Sequence, residues 1–139
     1  MRNIVIEIDG VAAQAILFDD KAPRTCAKIR SLLPIEDRTI QVRWSGAAWR
    51  TEKNYRLELG QIENPVTVLE PGDLIYYDDP RHQLYKVGVA YGRAAWRDFE
   101  GDLPVAHIGR ITSNLEPFVK VCDRIIYDGP RVVRIRHAD

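Results

Sequence analysis

The chain has 139 residues, of which 45% are hydrophobic, and its 20 Lys and Arg residues balance 20 Asp and Glu residues at a formal net charge of zero. This length fits one domain with a buried core, so we expect a single domain over residues 1–139. The neutral balance lacks the positive field that attracts nucleic acid or anionic lipid, so neither nucleic acid nor membrane is an expected partner.

The N-terminal segment and the cysteines bear on where the protein works. Arg2, Glu7 and Asp9 interrupt any apolar segment of a signal peptide, and no stretch approaches the roughly 18 apolar residues of a membrane span. Cys26 and Cys122 lie far apart in apolar helical patterns, without the paired spacing of metal ligands. We therefore expect a cytoplasmic protein with reduced, buried cysteines, no disulfide and no metal site.

The first part of the chain predicts a β-hairpin followed by a helix. The segments NIVIEIDG and VAAQAILFDD read as two strands around Asp9-Gly10, a dipeptide that tolerates the positive φ of a tight turn. Pro23 stands where a first helical turn accepts a missing N–H, and the helical pattern ends near Pro34. The predicted buried face of this helix consists of Ala22, Cys26, Ile29 and Leu33.

The segment 39–59 returns to the period of two that is typical of a strand. Val42 and Trp44 fall on one side and Arg43 on the other, and residues 46–48 precede a second short strand. On this pattern we expect Trp44 to fill the interior of a barrel and Arg43 to face the opposite way, outward.

The second half begins with two further strands and an irregular stretch. A turn at Pro71-Gly72 precedes the strand LIYY, and HQLYKVGVAYG reads as a strand that Gly92 closes. Residues 93–104 are polar and irregular, and form a candidate lid. The strand VAHIGRIT contains Gly109, which indicates a bulge or a close backbone approach.

The last elements are a helix and a strand. Ser113 or Asn114 is expected to cap the helix LEPFVKVCDRI. The predicted buried face of that helix consists of Leu115, Val119, Cys122 and Ile126. The final strand RVVRIRH carries Arg131, Arg134 and Arg136, which we interpret as a solvated strand face rather than a nucleic-acid patch.

Roughly eight strands with one helix near each end predict a mainly β fold. The sequence contains no internal repeat and no low-complexity linker. An antiparallel barrel or a sandwich, with its open ends covered by the helices, satisfies this pattern. The strands VTVLE and LIYY are expected at sheet edges, where pairing between subunits would make a homodimer.

The order of these elements resembles the cyclophilins over nearly the whole chain. AILFDDKAPRTCAKIRSLL is similar to that family's strand and first helix, and HIGRITSNLEPFVKVCDRI with DGPRVVRI is similar to its penultimate strand, second helix and closing strand. The resemblance implies a closed antiparallel cyclophilin-like β-barrel of about eight strands, capped by two α-helices. IQVRW falls where cyclophilins carry their catalytic arginine, so the resemblance matches Arg43 to that residue.

The residues around this arginine depart from those of active prolyl isomerases. WSGAAWRTE stands in place of the Gln and the Gly-Gly-Asp stretch of cyclophilins, and GVAYGRAAWRDFEGDLP does not match their proline-pocket residues. The chain therefore resembles the small bacterial cyclophilin-like proteins, whose function is not established, more than it resembles the active isomerases.

The candidate site residues follow from side-chain chemistry. Arg43 offers five N–H donors in a rigid fork that suits a carboxylate, and Ser45 provides a nearby hydroxyl. Tyr91 and Trp96 flank an irregular, Gly-containing stretch and are expected to line the pocket. His107 suits acid–base work, although a single histidine also serves as a satisfied structural group.

These residues predict a protein that binds a small anionic, carboxylate-type ligand in a groove on the side of the barrel. One alternative is a divergent peptidyl-prolyl isomerase, in which Arg43 is catalytic and donates to the prolyl nitrogen. Another, by fold analogy, is a cyclic-amide hydrolase or a subunit of one, for which we identify no nucleophile. The sequence has no phosphate loop, G-x-S-x-G or HExxH motif, so we expect no cofactor and leave enzyme activity open.

Overall fold

The computed structural model describes residues 3–138, which form mainly β-strands. The strands are β1 (Asn3–Ile8), β2 (Val11–Leu17), β3 (Ile35–Gln41), β4 (Gly46–Thr51), β5 (Pro65–Val66), β6 (Val68–Leu69), β7 (Asp73–Asp79), β8 (Leu84–Ala95), β9 (Arg97–Asp98), β10 (Gly101–Asp102), β11 (Val105–Ser113) and β12 (Val132–His137). The helices are α1 (Pro23–Leu32), α2 (Leu115–Asp123) and α3 (Ile125–Asp128). None of these described helices has the length and apolar character needed to cross a membrane.

Eight of the strands close into an antiparallel barrel. Their order is β2, β1, β12, β3, β4, β8, β7 and β11, and pairing of β11 with β2 completes the circle. The register of β11 against β7 shifts between His107 and Gly109, and a Cβ at Gly109 would lie 2.3 Å from the carbonyl oxygen of Ile16. The bulge and the close backbone approach predicted at Gly109 are both confirmed, and the barrel rather than the sandwich is the architecture.

The first helix forms as the sequence predicts. It begins at Pro23 and buries Cys26 and Ile29 against the barrel. The first N–H groups of a helix have no partner within the helix, and here a distant carboxylate accepts them. Glu63 accepts the backbone N–H of Thr25 at 2.7 Å and the Thr25 hydroxyl at 2.8 Å. This contact fastens the loop after β4 to α1.

The second helix is shorter than predicted and is followed by a separate turn of helix. The helix is interrupted at Arg124, so the residues after Arg124 no longer continue the helical period of α2 and a different side of them is buried. The buried residues of the two helices consist of Phe118, Cys122 and Ile125. The predicted face is therefore correct at Cys122 and wrong at Ile126, which is exposed. Asn114 holds the cap position, but its side chain donates to the carbonyl of Ala12 instead of capping the helix.

Two clusters of buried apolar residues lie on opposite faces of the strands, because successive side chains of a strand point to opposite sides. The inner core fills the barrel and includes Trp49, Tyr76 and Phe118. The outer cluster lies outside the barrel, mainly over β4, β7 and β8. It consists of Val42, Ala48, Leu69, Ile75, Tyr77, Ala90, Ala94, Trp96 and Val105.

Both cysteines are free and buried, as predicted. The indole N–H of Trp49 donates to Cys122 Sγ at 3.2 Å, and Cys26 Sγ donates to the carbonyl of Ile108 at 3.4 Å. Burial raises the pKa of each thiol to about 12. Each cysteine therefore serves to pack its helix against the barrel, because a protonated, buried thiol is a poor nucleophile.

The alternation predicted over 39–59 does not continue through the whole segment. Residues 42–45 form a tight turn between β3 and β4, in which the N–H of Ser45 bonds to the carbonyl of Val42 at 2.7 Å. A turn reverses the chain direction and ends the period of two, so the positions expected within it are wrong. Trp44 is 55% exposed in this turn and does not fill the barrel.

Two further boundaries differ from the sequence prediction. β8 continues through Gly92, which was predicted to end it. A Cβ at Gly92 would lie 2.7 Å from the Cβ of Ala47, so the glycine is needed for the close approach of β4. The stretch 93–104 is not irregular. It contains the end of β8 and the hairpin of β9 and β10, whose tip is Phe99-Glu100.

One of the two predicted edge strands lies within the barrel, and the other lies at a sheet edge. LIYY belongs to β7, which lies between β8 and β11, so its prediction as an edge is wrong. VTVLE forms the short β5 and β6, which pair with β11 and β8. β5 and β6 each pair with one neighbouring strand only, so VTVLE lies at a sheet edge as predicted, although each of its strands is two residues long.

The arginines at the end of the chain lie on a solvated face, as interpreted from the sequence. Arg131, Arg134 and Arg136 are partly or fully exposed. Each has an acidic partner, at 2.8 Å, 3.1 Å and 3.9 Å respectively. The partners are Asp9, Glu36 and Glu7. Paired charges of this kind leave little net positive potential on the strand.

Candidate functional site

A groove of about 440 Å³ lies against the outer cluster of the barrel. Its walls are mostly apolar, with a few charged groups, which is the usual composition of a small-molecule site. The lining residues are Val42, Trp44, Arg50, Tyr77, Leu84, Trp96, Arg97, Asp98 and Phe99. They come from the turn before β4, from β4, β7 and β8, and from the hairpin of β9 and β10.

Arg50 is the charged group of the sheet that faces the groove. It follows the inward-facing Trp49, so strand alternation directs it outward. Its Nη1 donates to the carbonyl of Thr51 at 3.0 Å, and no carboxylate of residues 3–138 forms an ion pair with it. Burial holds the pKa of Arg50 below its ordinary value. A half-buried guanidinium without an acidic partner retains donors for a bound anion.

Lys86 adds a second positive group to this face of the sheet. It lies directly across from Tyr77 on the neighbouring strand and is buried. Its Nζ donates to the carbonyl of Glu52 at 2.5 Å. Burial, and then the charge of Arg50, hold the pKa of Lys86 below its ordinary value. Arg50 and Lys86 thus bring two positive groups to this face, although Glu52 lies near enough to raise the pKa of both in part.

Aromatic rings form both the floor and the rim of the groove. Tyr77 and Trp96 make a tilted pair, with ring centroids 5.7 Å apart and an angle of 50° between their planes. Trp96 is buried in the outer cluster, so it gives the floor a fixed surface. Trp44 and Phe99 stand at the rim, and Phe99 is 99% exposed.

The hairpin that carries Phe99 is held to the barrel near its base. The hydroxyl of Ser45 accepts the N–H of Arg97 at 3.0 Å, and the N–H of Leu103 donates to the carbonyl of Trp96 at 3.0 Å. Arg97 in turn pairs with Asp102 across the hairpin at 2.8 Å. These contacts make Ser45 a residue that positions one wall of the groove.

A polar cluster stands behind the same wall. Asp79 Oδ2 accepts the hydroxyl of Tyr77 at 2.6 Å and lies 2.7 Å from His82 Nδ1. Arg81 pairs with Asp98 at 3.0 Å and lies 3.7 Å from Asp79. Burial would raise the pKa of Asp79, but the bonds from Tyr77 and His82 bring the pKa below its ordinary value.

This cluster contains a set of donors that sequence spacing did not reveal. Donor atoms of Asp79, His82 and Asp98 lie within 4.8 Å of one another, a geometry that suits a metal ion. Arg81 already supplies positive charge to both carboxylates, so the cluster has a cation of its own. The expectation that the protein has no metal site stays a prediction.

The structure distributes the predicted site residues over different surroundings. Trp96 lines the groove, and Ser45 lies next to it and bonds to the hairpin. Arg43 is exposed in the turn and is not among the lining residues. Tyr91 belongs to the inner core, where its hydroxyl accepts a hydrogen bond from the side chain of Gln41.

His107 lies outside the groove. Its Nε2 is 3.0 Å from Asp73 Oδ1, and its ring meets the edge of Phe18 at a centroid distance of 5.0 Å. Arg110 lies 3.7 Å from the same carboxylate oxygen. His107 thus belongs to a small charged cluster on β7 and β11, and its predicted role in ligand binding stays untested.

Of the nine residues that line the groove, sequence reasoning identified only Trp96; the eight that it missed include Arg50, Tyr77, Trp44 and Phe99. A signal for Arg50 was present, because the strand that places Trp49 inside the barrel must place its neighbour outside. No comparable signal existed for Phe99. It reaches the groove only because a hairpin folds back over the sheet, which local sequence does not reveal.

Comparisons with known proteins agree on the fold. The chain is similar to McbB in a structure of McbB in complex with tryptophan, at a TM-score of 0.69 and 18% identity, over 97% of this chain and 44% of McbB. It thus spans less than half of McbB. It is also similar to the solution structure of the hypothetical protein AF2241 from Archaeoglobus fulgidus, at a TM-score of 0.63 and 19% identity, over 99% of this chain and 95% of AF2241.

At these identities the two structures support the barrel and nothing finer. No curated protein matches the chain. The sequence model of a family described as a protein of unknown function, DUF3830, matches residues 4–137, which is nearly the whole chain. The chain therefore belongs to the DUF3830 family.

Proposed function

We propose that the protein binds a small anionic molecule of the carboxylate type in the groove on the outside of the barrel. The observation that carries this proposal is Arg50, a half-buried guanidinium that faces an apolar groove without an acidic partner among the described residues. A charge in such surroundings loses hydration, and an anionic ligand compensates for that loss.

The surroundings of Arg50 support an anion in preference to a cation. Lys86 stands diagonally across the sheet from it and adds a positive charge. Asp98, the acidic residue of the lining, is paired with Arg81. The fork of Arg50 can donate two parallel hydrogen bonds to a carboxylate, a geometry that a lysine does not match.

The comparison with McbB offers a compound for testing. That protein was solved in complex with tryptophan, which has a carboxylate and a planar ring. Because the identity is 18%, we use tryptophan as one probe among several and not as an assignment. The cyclophilin-like character of the barrel is likewise a proposal, supported by the resemblance of the first helix and the last strands.

The test compares the arginine that the structure favours with the one that the sequence favours. Wild type, Arg50→Gln and Arg43→Gln are titrated, by NMR chemical-shift changes, with small aliphatic and aromatic carboxylates and with their uncharged amides. We expect acids to bind better than amides and Arg50→Gln to weaken acid binding about tenfold to a hundredfold. Arg43→Gln, the matched control in the exposed turn, should bind as wild type does.

The opposite pattern has a clear meaning. Loss of binding in Arg43→Gln with retention in Arg50→Gln would move the anchor to the turn. Equal binding of acids and amides by wild type, or no binding by any member of the panel, would contradict the proposal of an anion site.

A divergent prolyl isomerase is the second candidate. Catalysis needs an N–H donor for the prolyl nitrogen beside an apolar pocket that grips the ring. Arg50 lies in the same groove as Val42, Leu84 and Trp96, which supports this combination. NMR exchange measurements on a panel of X-Pro peptides test it. Acceleration that disappears in Arg50→Gln would favour the isomerase over a passive binding protein.

A cyclic-amide hydrolase is the third candidate, and the pair of Asp79 and His82 supports it. Their contact of 2.7 Å beside the groove is the distance that general acid–base chemistry requires. The lining residues include no serine or cysteine, so water would have to act as the nucleophile. Hydrolysis of hydantoin by wild type, but not by His82→Ala, is the expected result under this candidate.

The proposed setting is the cytoplasm, with a homodimer as the proposed assembly. The two free, buried cysteines are consistent with a reducing compartment. β7 is paired on both sides within the barrel, whereas β5 and β6 each pair on one side only, so a dimer that pairs strands would use β5 or β6. Light scattering at several concentrations tests the assembly, and cell fractionation tests the compartment.

A further inference from the structure

We propose that the ligand of the groove is a planar aromatic acid, whose ring is held between Trp44 and Phe99. This inference rests on the proposed function and names the chemical class of the molecule. It begins from the two aromatic side chains at the rim, which the structure leaves exposed to solvent.

Exposed large apolar side chains are uncommon on this protein. Those of the described residues are Leu32, Trp44, Val68, Phe99, Ile126, Tyr127 and Val132. Three of them are aromatic, and two of these three, Trp44 and Phe99, line the same groove. Covering a large apolar side chain that is exposed to water lowers the free energy. Two exposed aromatic side chains at the opening of one groove therefore indicate a binding site.

The backbone segments that carry the two rings are bonded to each other. Ser45 directly follows Trp44, and its hydroxyl accepts the N–H of Arg97 at the base of the hairpin at 3.0 Å. The carbonyl of Ser45 also accepts the N–H of Ala95 at 2.8 Å. The turn that carries Trp44 is therefore bonded to the segment that carries Phe99. Because this backbone is already bonded, a ligand that binds between the rings has to order the two side chains but not the turn or the base of the hairpin.

The floor of the groove continues the same surface. Tyr77 and Trp96 present a tilted pair of rings, and Leu84 closes the side. Arg50 provides the charge on the same outer face as Tyr77. A flat ring with a carboxylate on a short arm would contact aromatic surfaces on more than one side while its charge meets the guanidinium.

Ring contacts distinguish a planar acid from an aliphatic acid of similar size. Aromatic rings pair in offset-stacked or edge-to-face geometry, which adds to the gain from burying apolar area. A saturated ring buries as much area but forms no such pair. Each ring contact should therefore improve the affinity of an aromatic acid about twofold to tenfold relative to its saturated analogue.

Phenylacetate and cyclohexylacetate form a matched pair for the experiment. Both place a carboxylate one carbon from a six-membered ring, and the saturated ring is the more hydrophobic. We titrate each acid into wild type and follow NMR chemical shifts. We expect phenylacetate to bind about fivefold more tightly or better, and indole-3-acetate to bind more tightly still.

Three variants locate the source of the preference. Trp44→Leu and Phe99→Leu keep an apolar side chain but remove the ring, and both positions are exposed, so the fold should tolerate them. We expect each variant to lower the preference for phenylacetate about twofold or more while changing cyclohexylacetate binding little. Tyr127→Leu, an exposed aromatic outside the groove lining, is the control and should keep the wild-type preference.

The outcomes separate this inference from the proposed function. Equal binding of the two acids by wild type, or a preference that survives in both rim variants, overturns the aromatic clamp. If wild type then binds both acids and Arg50→Gln binds neither, the anion site is still supported. Failure of both acids to bind wild type overturns the clamp, and the anion site falls as well only if the aliphatic carboxylates of the wider panel also fail to bind.

Discussion

The inner and outer faces of the barrel strands have different roles: the inner side chains pack the core, and the outer ones form the groove. On β4, Trp49 points into the barrel and Arg50 points out to the groove. On β7, Tyr76 points in and Tyr77 points out. Each pair consists of neighbours in sequence, so the difference between them comes from direction alone.

The polar atoms of the inner side chains are satisfied within the protein. The indole N–H of Trp49 has Cys122 Sγ at 3.2 Å. The hydroxyl of Tyr76 donates to the carbonyl of Tyr55 at 2.6 Å and accepts the N–H of Leu57 at 3.2 Å. Trp49 and Tyr76 therefore use their polar atoms within the protein.

The outer face differs at the groove. Arg50 has a single backbone partner, and the rings at the rim are exposed. Charged side chains without an ion-pair partner and exposed aromatic rings tend to mark functional surfaces, because a protein optimised for stability alone would pair such charges and bury such rings. The comparison predicts that mutations of the inner face change stability and that mutations of the groove change binding.

The largest expected difference in the free energy of unfolding is between Trp49→Ala and Arg50→Gln. Trp49→Ala should lower the free energy of unfolding by about 3–5 kcal/mol, because it leaves a cavity in the inner core. Arg50→Gln should change it by less than about 0.5 kcal/mol, since no ion pair is lost. Urea unfolding followed by circular dichroism measures both. If Trp49→Ala is too unstable to study, Trp49→Phe should show the same direction with a smaller loss.

The next prediction concerns a charged side chain that lies on the outer face but away from the groove, and that should affect stability and not ligand binding. Asp73 contacts His107 and accepts the N–H of Glu70 at 2.8 Å. Asp73→Asn should cost about 1.5–3 kcal/mol at pH 7, because it removes the negative charge that faces His107 and Arg110, while an amide oxygen can still accept the Glu70 N–H. Ligand binding in the groove should stay unchanged, which the same NMR titration checks.

The pH dependence of that loss has a definite sign. Burial would raise the pKa of Asp73, but the contact with His107, the Glu70 N–H and nearby positive charges bring the pKa below its ordinary value. Its stabilising effect is therefore present above about pH 4 and is lost as the pH falls through the lower folded pKa. Wild type should lose more stability than Asp73→Asn between about pH 5 and pH 2. Identical slopes for the two proteins would contradict this assignment.

A third prediction concerns the loop that closes the inner core. Leu57 and Leu59 pack inside, and Glu63 fastens the loop by accepting N–H groups at the start of α1. Glu63→Ala should lower the free energy of unfolding by about 1 kcal/mol, the usual effect of losing a helix cap. Glu36→Ala, which removes an exposed surface pair with Arg134, is the control and should cost less than about 0.5 kcal/mol.

The smallest expected effect separates the two tyrosines of β7. Tyr76→Phe removes a donor and leaves the Leu57 N–H without its acceptor, whereas Tyr77→Phe removes one bond to Asp79. Tyr76→Phe loses two bonds to neutral groups and Tyr77→Phe loses one bond to a charged group, so the two costs in urea unfolding should agree to within about 1 kcal/mol. Only Tyr77→Phe should alter ligand binding. A change in binding on Tyr76→Phe would break the separation of the two faces.

The elements with long, regular patterns were predictable from sequence. The hairpin at Asp9-Gly10, the helix from Pro23 and the bulge at Gly109 all appear as predicted. In each case the signal is local, since it consists of a residue with special backbone geometry or of a hydrophobic period. The number of such elements predicted a barrel or a sandwich, and the resemblance to the cyclophilins favoured the closed barrel that the structure has.

The site was less predictable, for a physical reason that Arg43 illustrates. A period of two was extended through residues 42–45, where the chain turns instead. One turn within the pattern moves Trp44 to the rim and leaves Arg50 as the outward arginine of β4. Trp96 was predicted to line the pocket and does so, because it lies beside the hairpin that forms the groove wall.

The sequence by itself determined the mainly β architecture, the burial of both cysteines and the order of helices and strands, because hydrophobic periods and turn residues act over a few positions. Only the tertiary structure decided which arginine meets the groove, where Phe99 stands and how Ser45 holds the hairpin. Those features depend on contacts between residues about 50 positions apart, such as Ser45 with Arg97. Barrel closure makes these contacts, and no local pattern encodes them.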